Sequence, residues 1–485
     1  MHLNIMFLSI IFLPMEFVGR HEEMERLDSL CRRRQGGLAV LTGRRRVGKT
    51  RLLVEWNRRH DGLYTVADQS SPEIQRRYFC EALAGRFPVF QEATFRDWRA
   101  ILKALAQQAE AGRWKGPLIL DEFPFLVASS PELPSVVQHW IDHDAASAGL
   151  VVAIAGSSQR MMHGLVLDSS APLYGRAVEM IEVKPLRMTD FTAATGIADP
   201  VTCVKAFTAW GGIPRYWELA EPFAARVDEA VDRCVLDPLS PLHSEPDRLL
   251  LDEVPPALAL RPILDAIGLG AHRPSEIAAR IGQPATSLAR PLTRLTEMGL
   301  VRREIPFGES EKSGKRALYR IADPFMRMWF RTVAPHRALL AQAPAAVRRD
   351  LWVKERPGLC ASAWEELCRQ SVVLAADTRA ALARKGPWAP AARYWQGRGP
   401  EWDVVSRSLD GKRGLLGEVK WSERAFRRAD LGQIADGLRR KGVPPVLAKV
   451  SEIVYCLFVP KVEDGAREFD GMLVVDATAV AAAGT

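Results

Sequence analysis

The stretch Leu38-Ala-Val-Leu-Thr42-Gly43-Arg-Arg-Arg-Val-Gly48-Lys49-Thr50 decides how this sequence folds. Its first five residues form a short apolar run, which predicts a buried strand. The residues from Gly43 to Thr50 fit the pattern G-x-x-x-x-G-K-[ST] without a departure, and a helix is predicted from Thr50 to His60. A glycine-rich loop between a strand and a helix binds phosphate groups through its backbone N–H groups and the helix N-terminus.

The chemistry of this loop predicts ATP as its ligand and Mg²⁺ as the accompanying ion. We expect Lys49 to reach the β- and γ-phosphates and the Thr50 hydroxyl to ligate Mg²⁺. The predicted nucleotide-binding residues are Gly43, Arg44, Arg45, Arg46, Val47, Gly48, Lys49, Thr50 and Arg51.

A second motif follows in Leu118-Ile-Leu-Asp121-Glu122, where an apolar strand ends in two carboxylates. Ligands of open α/β sheets bind at the carboxyl ends of the strands. We therefore expect Asp121 to hold Mg²⁺ through water and Glu122 to act as the general base for an attacking water. The alternative is that Asp121 and Glu122 only cap the end of an ordinary strand.

Two further positions complete the predicted catalytic group. A third apolar strand, Val151–Ala155, runs into Gly156 and then Ser157, whose hydroxyl is expected to orient the water or touch the γ-phosphate. Its alternative role is an ordinary helix N-cap. Arg176 is a candidate arginine finger, although exposed arginines are usually only solvated.

Strands that alternate with helices from Glu16 to about Leu186 predict a parallel sheet covered by helices.

Six segments of the sequence, taken in order, resemble the archaeal-type AAA+ ATPases of prokaryotes, which are related to the signal-transduction ATPases. The resemblance spans roughly Met15–Ala220. It implies Ser157 or Ser158 as the sensor position, Arg176 as the finger, and a place for Gly211–Pro214 in the lid helices. The segments are Phe17–Arg20 with Glu22 and Glu23, Gly43–Thr50, Leu118–Phe123, Gly156–Ser158, Pro172–Arg176 and Gly211–Pro214.

Composition is that of an ordinary globular protein. The 485 residues exceed what one core supports, so about three domains are expected. Lys and Arg outnumber Asp and Glu by 66 to 58, a net charge of +8 that permits an anionic partner. Seven scattered cysteines without zinc spacing fit a reducing cytoplasm. No stretch reads as a membrane span, and we predict that translation begins at Met15, with residues 1–14 an incorrectly assigned start.

Residues 256–331 predict a winged helix, with three helices followed by two strands. On the third helix, Thr286–Met298, the residues Ser287, Arg290 and Arg294 fall opposite the apolar face. The predicted wing carries Lys312, Lys315 and Arg316, which suit phosphates. With 13 Lys or Arg against 7 Asp or Glu, this stretch has a net charge of +6. DNA is therefore an expected partner, and the alternative is a module that only packs or contacts protein.

The last part of the chain contains a strong two-residue hairpin turn, Asp410-Gly411. Counted outwards from the turn, Asp403 falls directly opposite Glu418, so the two carboxylates repel unless a cation or proton lies between them. Lys420 lies on the same face as Glu418. Together Asp403, Glu418 and Lys420 are a candidate catalytic group, with Asp403 and Glu418 as ligands of Mg²⁺.

This hairpin resembles the core of the PD-(D/E)xK nucleases. Residues Leu351–Ala477 look like the uncharacterised C-terminal domain often fused to these ATPases, which is related to restriction-endonuclease-like folds. The resemblance also implies Glu366 as the acidic residue of the first helix. No proline precedes Asp403 and E-x-K is a common string, so a degenerate, inactive fold is the alternative.

The predicted fold class is therefore α/β: a P-loop parallel-sheet domain with a helical lid, a winged helix, and a mixed α/β nuclease-like domain. The expected boundaries are 15–188 for the ATPase domain, 189–255 for the lid and linker, 256–331 for the winged helix and 345–485 for the last domain. The predicted function is an ATPase that couples its nucleotide state to nucleic acid. The alternatives are an ATP-dependent DNA-bound regulator with an inactive tail and an ATPase that contacts only protein. Self-association into a homo-oligomer is also expected.

Overall fold

The computed structural model describes residues 15–169, 171–253, 260–310, 312, 314, 316–374, 381–397 and 399–483. The predicted start at residues 1–14 and Lys315 of the predicted wing lie outside the described residues. The chain forms two compact units. The first runs to Leu186 and also contains Ile213–Glu218, and the second contains Arg187–Gly212 and the chain from Leu219 onwards.

The first unit is built on a five-stranded sheet in the order β2-β3-β4-β1-β5, in which every pairing is parallel. The parallel sheet predicted from the sequence is thereby confirmed. The strands β1, β3 and β4 are almost wholly buried, as their apolar runs predict, whereas the outer strands are only half-buried. The strands are β1 Gly37–Thr42, β2 Leu63–Val66, β3 Leu118–Asp121, β4 Val151–Ala155 and β5 Ala177–Glu182.

Helices cover this sheet and enclose its core. Helix α1 packs against α2 and β5, and a cluster that includes Leu105, Leu120 and Ile154 fills the space between strands and helices. The helices are α1 His21–Cys31, α2 Lys49–His60, α3 Pro72–Ala84, α4 Val89–Glu92, α5 Trp98–Ala111, α6 Phe123–Ser129, α7 Leu133–Trp140, α8 Ala146–Ala148 and α9 Gln159–Met162. The connections Ile141–Ala145 and His163–Leu167 are single π-helical turns.

The second unit begins with a group of helices and a two-stranded hairpin. Its three helices before the hairpin follow the predicted order, with a 3₁₀ turn, Ala285–Leu288, before the third. The elements are α10 Met188–Thr195, α11 Pro200–Trp210, α12 Pro214–Ala220, α13 Val227–Val231, α14 Glu245–Glu253, α15 Arg261–Gly268, α16 Pro274–Ile281, α17 Ala289–Glu297, β6 Val301–Glu304 and β7 Leu318–Ile321. Most of α12 belongs to the first unit, because that unit takes Ile213–Glu218.

A long helix and a mixed sheet complete the second unit. The sheet has the order β12-β13-β11-β10-β9-β8 and contains both parallel and antiparallel pairs. The predicted mixed α/β character of this part is thereby confirmed. The elements are α18 Pro324–Thr332, α19 Arg337–Leu340, α20 Ala345–Leu374, α21 Ala381–Arg384, β8 Ala392–Tyr394, β9 Trp402–Arg407, β10 Arg413–Val419, α22 Arg428–Lys441, β11 Glu452–Phe458, β12 Glu468–Phe469, β13 Met472–Val475 and α23 Ala477–Ala481.

Helix α20 is longer than its sequence indicates. We expected a helix over Ala361–Leu374, but it begins at Ala345 and carries Pro357 in its interior. Proline removes one backbone hydrogen bond and normally ends or kinks a helix. Here α20 packs against α11, α18 and β9, and it buries Trp352 and Trp364 completely. Burying two large aromatic side chains offsets the cost of the interior proline.

Candidate functional site

The phosphate-binding loop joins β1 to α2 and has the backbone that its glycines allow. Gly43 has φ +142°, and a Cβ atom there would lie 2.4 Å from the carbonyl oxygen of Val183. Gly48 has φ +103°, a value that side chains rarely tolerate. The buried Arg20 donates a hydrogen bond of 2.8 Å to the carbonyl oxygen of Val47. Both glycines are therefore required, and the loop is held from outside by an arginine on the preceding segment.

Lys49 is buried at the first position of α2 and turns back towards the loop. Its ammonium group donates hydrogen bonds to the carbonyl oxygens of Gly43, at 2.7 Å, and Arg44, at 3.2 Å. A cation held across the loop in this way is where a nucleotide phosphate needs a positive charge. Arg51, two residues further on, donates to the carbonyl oxygen of Met15 at 3.3 Å.

The ends of α2 and β3 bring Thr50 and Asp121 together. The Thr50 hydroxyl donates a 2.8 Å hydrogen bond to Oδ2 of Asp121, whose side chain is buried. Oδ1 of the same carboxylate accepts from the backbone N–H of Glu122 at 2.9 Å. A hydroxyl and a carboxylate side by side are oxygen donors of the kind that Mg²⁺ prefers, so this pair fits the predicted ion. These contacts are those expected of Thr50 and Asp121, and their role stays a prediction.

Tyr64 is a third member of this group that the sequence did not reveal. It lies on β2, next to β3 in the sheet, and its hydroxyl donates a 2.8 Å hydrogen bond to the same Oδ2 of Asp121. Burial and the neighbouring Asp121 carboxylate raise the pKa of the Tyr64 phenol above its ordinary value. The phenol therefore keeps its proton and remains a donor.

Glu122 stands one residue beyond the strand and is held by Ser157. Its backbone is left-handed, with φ +53°, which turns its side chain away from that of Asp121. Oε2 of Glu122 accepts from the backbone N–H of Ser157 at 3.1 Å and from its hydroxyl at 2.9 Å. The structure thus brings the predicted base and sensor residues together at the carboxyl ends of β3 and β4. Ser157 acts on the carboxylate here, a contact that we did not anticipate.

Arg176 is engaged by a carboxylate of its own unit. Its Nε lies 3.0 Å from both carboxylate oxygens of Asp142, and its Nη1 donates to the carbonyl oxygens of Pro172 and Tyr174. The side chain is 29% exposed. Its role as a finger remains a prediction, and it requires release from Asp142.

The segment Ile213–Glu218 lies within the first unit. A Cβ atom on Gly48 of the phosphate-binding loop would lie 3.8 Å from Cγ of Pro214. The resemblance had implied a place for Gly211–Pro214 among the lid helices. The assignment divides this segment, because Gly211 and Gly212 belong to the second unit and Pro214 to the first.

Ion pairs use much of the positive charge expected to face DNA. Arg302 of β6 pairs with Glu304 and Glu366, and Arg320 of β7 pairs with Glu304. Five more basic residues of this stretch also pair with carboxylates: Arg261, Arg273, Arg316, Arg327 and Arg331. Arg316 of the predicted wing is among them. Glu355 and Glu366 lie outside residues 256–331 and were not counted, so the net charge of +6 overstated the basic surface.

The outer face of α17 retains the predicted arrangement. Ser287 and Arg290 are exposed and Arg294 is half-buried, while Leu292 and Leu295 on the opposite face are buried. Within the described ranges we find no carboxylate paired with Arg290 or Arg294. Two arginines are therefore left on the face of the third helix that would meet a phosphate backbone.

The hairpin of β9 and β10 has the register counted from the sequence. Arg407 pairs with Gly414 and Val404 with Gly417, so the next step places Asp403 opposite Glu418. Oδ2 of Asp403 accepts from the backbone N–H of Val419 at 3.0 Å. Burial, and then the charges of Glu418 and Glu365, raise the pKa of Asp403 to about 6. The predicted register is confirmed.

Two lysines flank Glu418. Lys420 lies just past the end of β10 and donates a 2.9 Å hydrogen bond to Oε1 of Glu418, while Lys441 of α22 pairs with Oε2. Burial opposes the charge on Lys420, yet the hydrogen bond and charge of Glu418 raise the pKa of Lys420. Lys441 supplies a second cation that the sequence did not indicate.

The acidic residue that α20 presents to this site is Glu365, not Glu366. Glu365 contributes to the raised pKa of Asp403. Glu366 instead pairs with Arg302 and Arg327, and although burial opposes this, the two arginines lower the pKa of Glu366 to about 2. The expectation that Glu366 joins the site was wrong by one position, because the side of α20 that faces the sheet depends on its packing.

The described residues contain neither a candidate metal-binding cluster nor a candidate membrane-spanning helix. No group of three or more His, Cys, Asp or Glu side chains in those residues is arranged to hold a metal ion. No helix in the described part of the chain is long and apolar enough to cross a membrane. The role of Asp403 and Glu418 as a metal site therefore stays a prediction.

Models of known protein families match two parts of this chain. Residues 17–219 match the model of an ATPase domain found predominantly in Archaea, and residues 329–431 match one of archaeal and bacterial proteins of unknown function. An uncharacterised protein of Methanocaldococcus jannaschii is 28% identical over 426 residues, which cover 88% of this chain and 91% of the relative. The first match makes residues 17–219 similar to an ATPase domain found predominantly in Archaea.

Two solved structures are similar in part. A Walker-type ATPase of Pyrococcus abyssi has a TM-score of 0.48 at 20% identity, over 65% of this chain and 96% of its own. The ORC2 protein of Aeropyrum pernix, solved as ADPNP–ADP complexes, has a TM-score of 0.44 at 14% identity, over 73% of this chain and 96% of its own. Likenesses at this level carry no information about ligands or partners.

Proposed function

We propose that this chain, whose residues 17–219 carry an ATPase domain of the archaeal type, is a Mg²⁺-dependent ATP hydrolase that acts on nucleic acid through its second unit. The observation that carries the proposal is the meeting of Thr50 with Asp121 beside the phosphate-binding loop, at 2.8 Å. Glu122, at the next position, supplies a carboxylate within the same group of strand ends.

Each of these residues has a defined task in hydrolysis. Lys49 exchanges its hydrogen bonds with the loop carbonyls for contacts with the β- and γ-phosphates. Thr50 and Asp121 hold Mg²⁺, which, when bound, neutralises phosphate charge. Glu122 accepts the proton of the attacking water through its carboxylate, which Ser157 holds in place by two hydrogen bonds to Oε2.

Replacement of the base tests this assignment. Glu122→Gln keeps the shape of the side chain but cannot accept a proton, so we expect ATP binding to persist while turnover falls by about 10²–10⁴. The measurements are nucleotide affinity by fluorescence and phosphate release. Glu132→Gln, an exposed glutamate at the start of α7, is the matched control and keeps the wild-type rate. Wild-type turnover in Glu122→Gln would show that Glu122 is not the general base.

Coupling inside the second unit, between the predicted lid helices and the nuclease-like tail, is supported by a group of ion pairs. Asp228 of α13 pairs with Arg356 of α20 at 2.7 Å, and Lys205 of α11 lies 3.7 Å from Asp228. Arg356 also pairs with Glu423 at 2.9 Å, three residues after Lys420. The predicted lid is therefore tied to the strand end that carries the nuclease-like site, which gives nucleotide-dependent movement of the lid a route to that site.

The competing function is an ATP-dependent DNA-bound regulator with an inactive tail. The observation that favours it is the engagement of both Glu418 oxygens by Lys420 and Lys441, which leaves less room for a cation. Incubation of DNA and RNA with Mg²⁺ or Mn²⁺, with and without ATP, distinguishes the two. If the second unit acts on nucleic acid as a nuclease, we expect degradation that Asp403→Asn abolishes and that Asp436→Asn, on the exposed face of α22, preserves. No degradation by the wild type would favour the regulator.

A further inference from the structure

The Asp121 carboxylate accepts from two side-chain hydroxyls at a single oxygen. Thr50 and Tyr64 each donate to Oδ2 at 2.8 Å, and the backbone N–H of Glu122 donates to Oδ1 at 2.9 Å. Asp121 is only 1% exposed. In such a buried place, each donor has a large effect on where the carboxylate points, because few water molecules compete for it.

We propose that Tyr64 is a positioning residue for the Mg²⁺–ATP site, which fixes the carboxylate of Asp121 through its phenol hydroxyl. The inference rests on the proposed role of Asp121 in holding Mg²⁺. In this proposal Tyr64 acts through Asp121, the residue that its hydroxyl contacts.

The geometry of β2 and β3 explains why this contact forms. The strands are parallel neighbours, with Tyr64 opposite Ile119 and Val66 opposite Asp121. The long phenol ring spans the two-residue offset along the strands and brings its hydroxyl to the strand end. The neighbouring Thr65 lies on the opposite face of the strand, and its hydroxyl donates to the backbone carbonyl of Ile119 at 2.9 Å.

The two hydroxyls that donate to Oδ2 have different roles. Thr50 is needed by the ion itself, since the hydroxyl at this position of the loop is a metal ligand. Tyr64 has no such second duty, so it can hold Oδ2 whether or not the ion is bound. Loss of its hydroxyl removes one of the two side-chain donors described for Oδ2 and leaves the carboxylate less firmly held, by Thr50 and by the backbone N–H of Glu122. Groups that orient metal-binding carboxylates typically change metal affinity or activity by about 10–100-fold when removed.

Tyr64→Phe is the direct test, because it removes the hydroxyl and keeps the ring. We measure binding of a fluorescent ADP analogue to the full chain while Mg²⁺ is varied, and the same binding in EDTA. The expected result is a rise of about tenfold in the Mg²⁺ concentration at half-saturation. Nucleotide affinity in EDTA stays at the wild-type value, because Lys49 and the loop are untouched. A merely structural effect of the substitution would weaken binding equally in both conditions.

Two further variants make the outcome decisive. Thr65→Val removes a hydroxyl from the same strand and is expected to leave the Mg²⁺ dependence unchanged, since its partner is a backbone carbonyl. Asp121→Asn reports on the proposed metal role itself and is expected to shift the Mg²⁺ dependence at least as far as Tyr64→Phe. A shift in Asp121→Asn with none in Tyr64→Phe overturns this inference and leaves the proposed function standing. No shift in either variant overturns the role of Asp121.

Discussion

At the scale of single residues, Asp403 is held in a setting that disfavours its charge. It is largely buried, faces Glu418 across the hairpin, and has Glu365 of α20 nearby. Each of these raises the free energy of the ionised carboxylate relative to the neutral acid. The pKa of about 6 means that Asp403 changes charge near the pH of ordinary experiments.

This setting predicts how stability depends on pH. An unfolded aspartate has a pKa of about 3.9, so the folded state binds the Asp403 proton more tightly. The resulting stability is present below about pH 4 and is lost as the pH rises through about 6. We expect Asp403→Asn, in EDTA, to be more stable than wild type by about 2–3 kcal/mol at pH 7.5 and by much less at pH 4.5. Denaturant titrations at both values measure this, with Asp436→Asn as control. An advantage independent of pH would contradict the assignment.

Single residues also mark where prediction from the sequence ends. Lys49, Thr50 and the pair Asp121 and Glu122 could be found because a motif places them at fixed spacings along one chain segment. Tyr64 could not, since its partner lies 57 residues away and β2 itself carries no strong strand pattern. Only the sheet order, with β2 beside β3, brings the phenol to the carboxylate.

At the scale of elements, helix α20 presents neighbouring glutamates to different surroundings. Glu366 pairs with Arg302 and Arg327, whereas Glu365 pairs with Arg369 and its charge raises the pKa of Asp403. Adjacent residues on a helix point about 100° apart, so one helix can serve both. Because the two side chains have the same chemistry, replacing each of them in turn distinguishes a structural role from a role in the site.

We expect Glu366→Gln to destabilise the protein by about 3 kcal/mol, because it leaves buried arginine charge without compensation. Glu365→Gln removes a negative neighbour of Asp403, so it lowers the pKa of Asp403 and leaves stability at pH 7.5 nearly unchanged or raised. Denaturant titration across pH measures both effects. Equal destabilisation by the two variants would refute the separation.

The exposed face of α17 carries the prediction for DNA. Replacement of Arg290 and Arg294 by alanine together should weaken binding of duplex DNA and lower the salt slope by about 1 for each lost phosphate contact. Arg331→Ala removes a charge from the same stretch, but from a side chain already paired with Glu355, and is expected to change the slope little. Fluorescence anisotropy at several salt concentrations gives the slopes. DNA affinity that does not vary with salt would exclude this surface.

Elements differ in how far their sequence determines them. The hairpin register could be counted from Asp410-Gly411, because pairing across a two-residue turn depends only on distance along the chain. The charge of residues 256–331 could not be read in the same way. Its arginines pair with Glu355 and Glu366, acidic residues outside the stretch that a local count leaves out.

At the scale of the whole molecule, the two units share one chain that passes between them three times. It leaves the first unit after Leu186, returns at Ile213 and leaves again after Glu218. The returning segment contains Pro214, which approaches the phosphate-binding loop at Gly48. The chain joins this segment to Gly212 before it and to Leu219 after it, and both of these residues belong to the second unit.

We therefore expect the full chain to unfold in one calorimetric transition, since the first unit cannot release Ile213–Glu218 without disturbing both flanking helices. Mg²⁺–ADP at one hundred times its dissociation constant should stabilise the folded chain by about 2.7 kcal/mol and move the whole transition upwards. Lys49→Ala should abolish that shift at the same ADP concentration. Two separate transitions, of which ADP moves only one, would show that the units unfold independently.

The three crossings of the chain between the two units also limit how recombination can exchange one unit of this protein. A single recombination breakpoint exchanges everything on one side of a position, so it can replace a domain only when that domain is continuous in the gene. Here a breakpoint after Leu186 would leave behind Ile213–Glu218, and one after Glu218 would carry Arg187–Gly212 along with the wrong unit. A new second unit must therefore be acquired beyond Glu218 and adapted to an old α11, which favours gradual divergence of the two units as a pair.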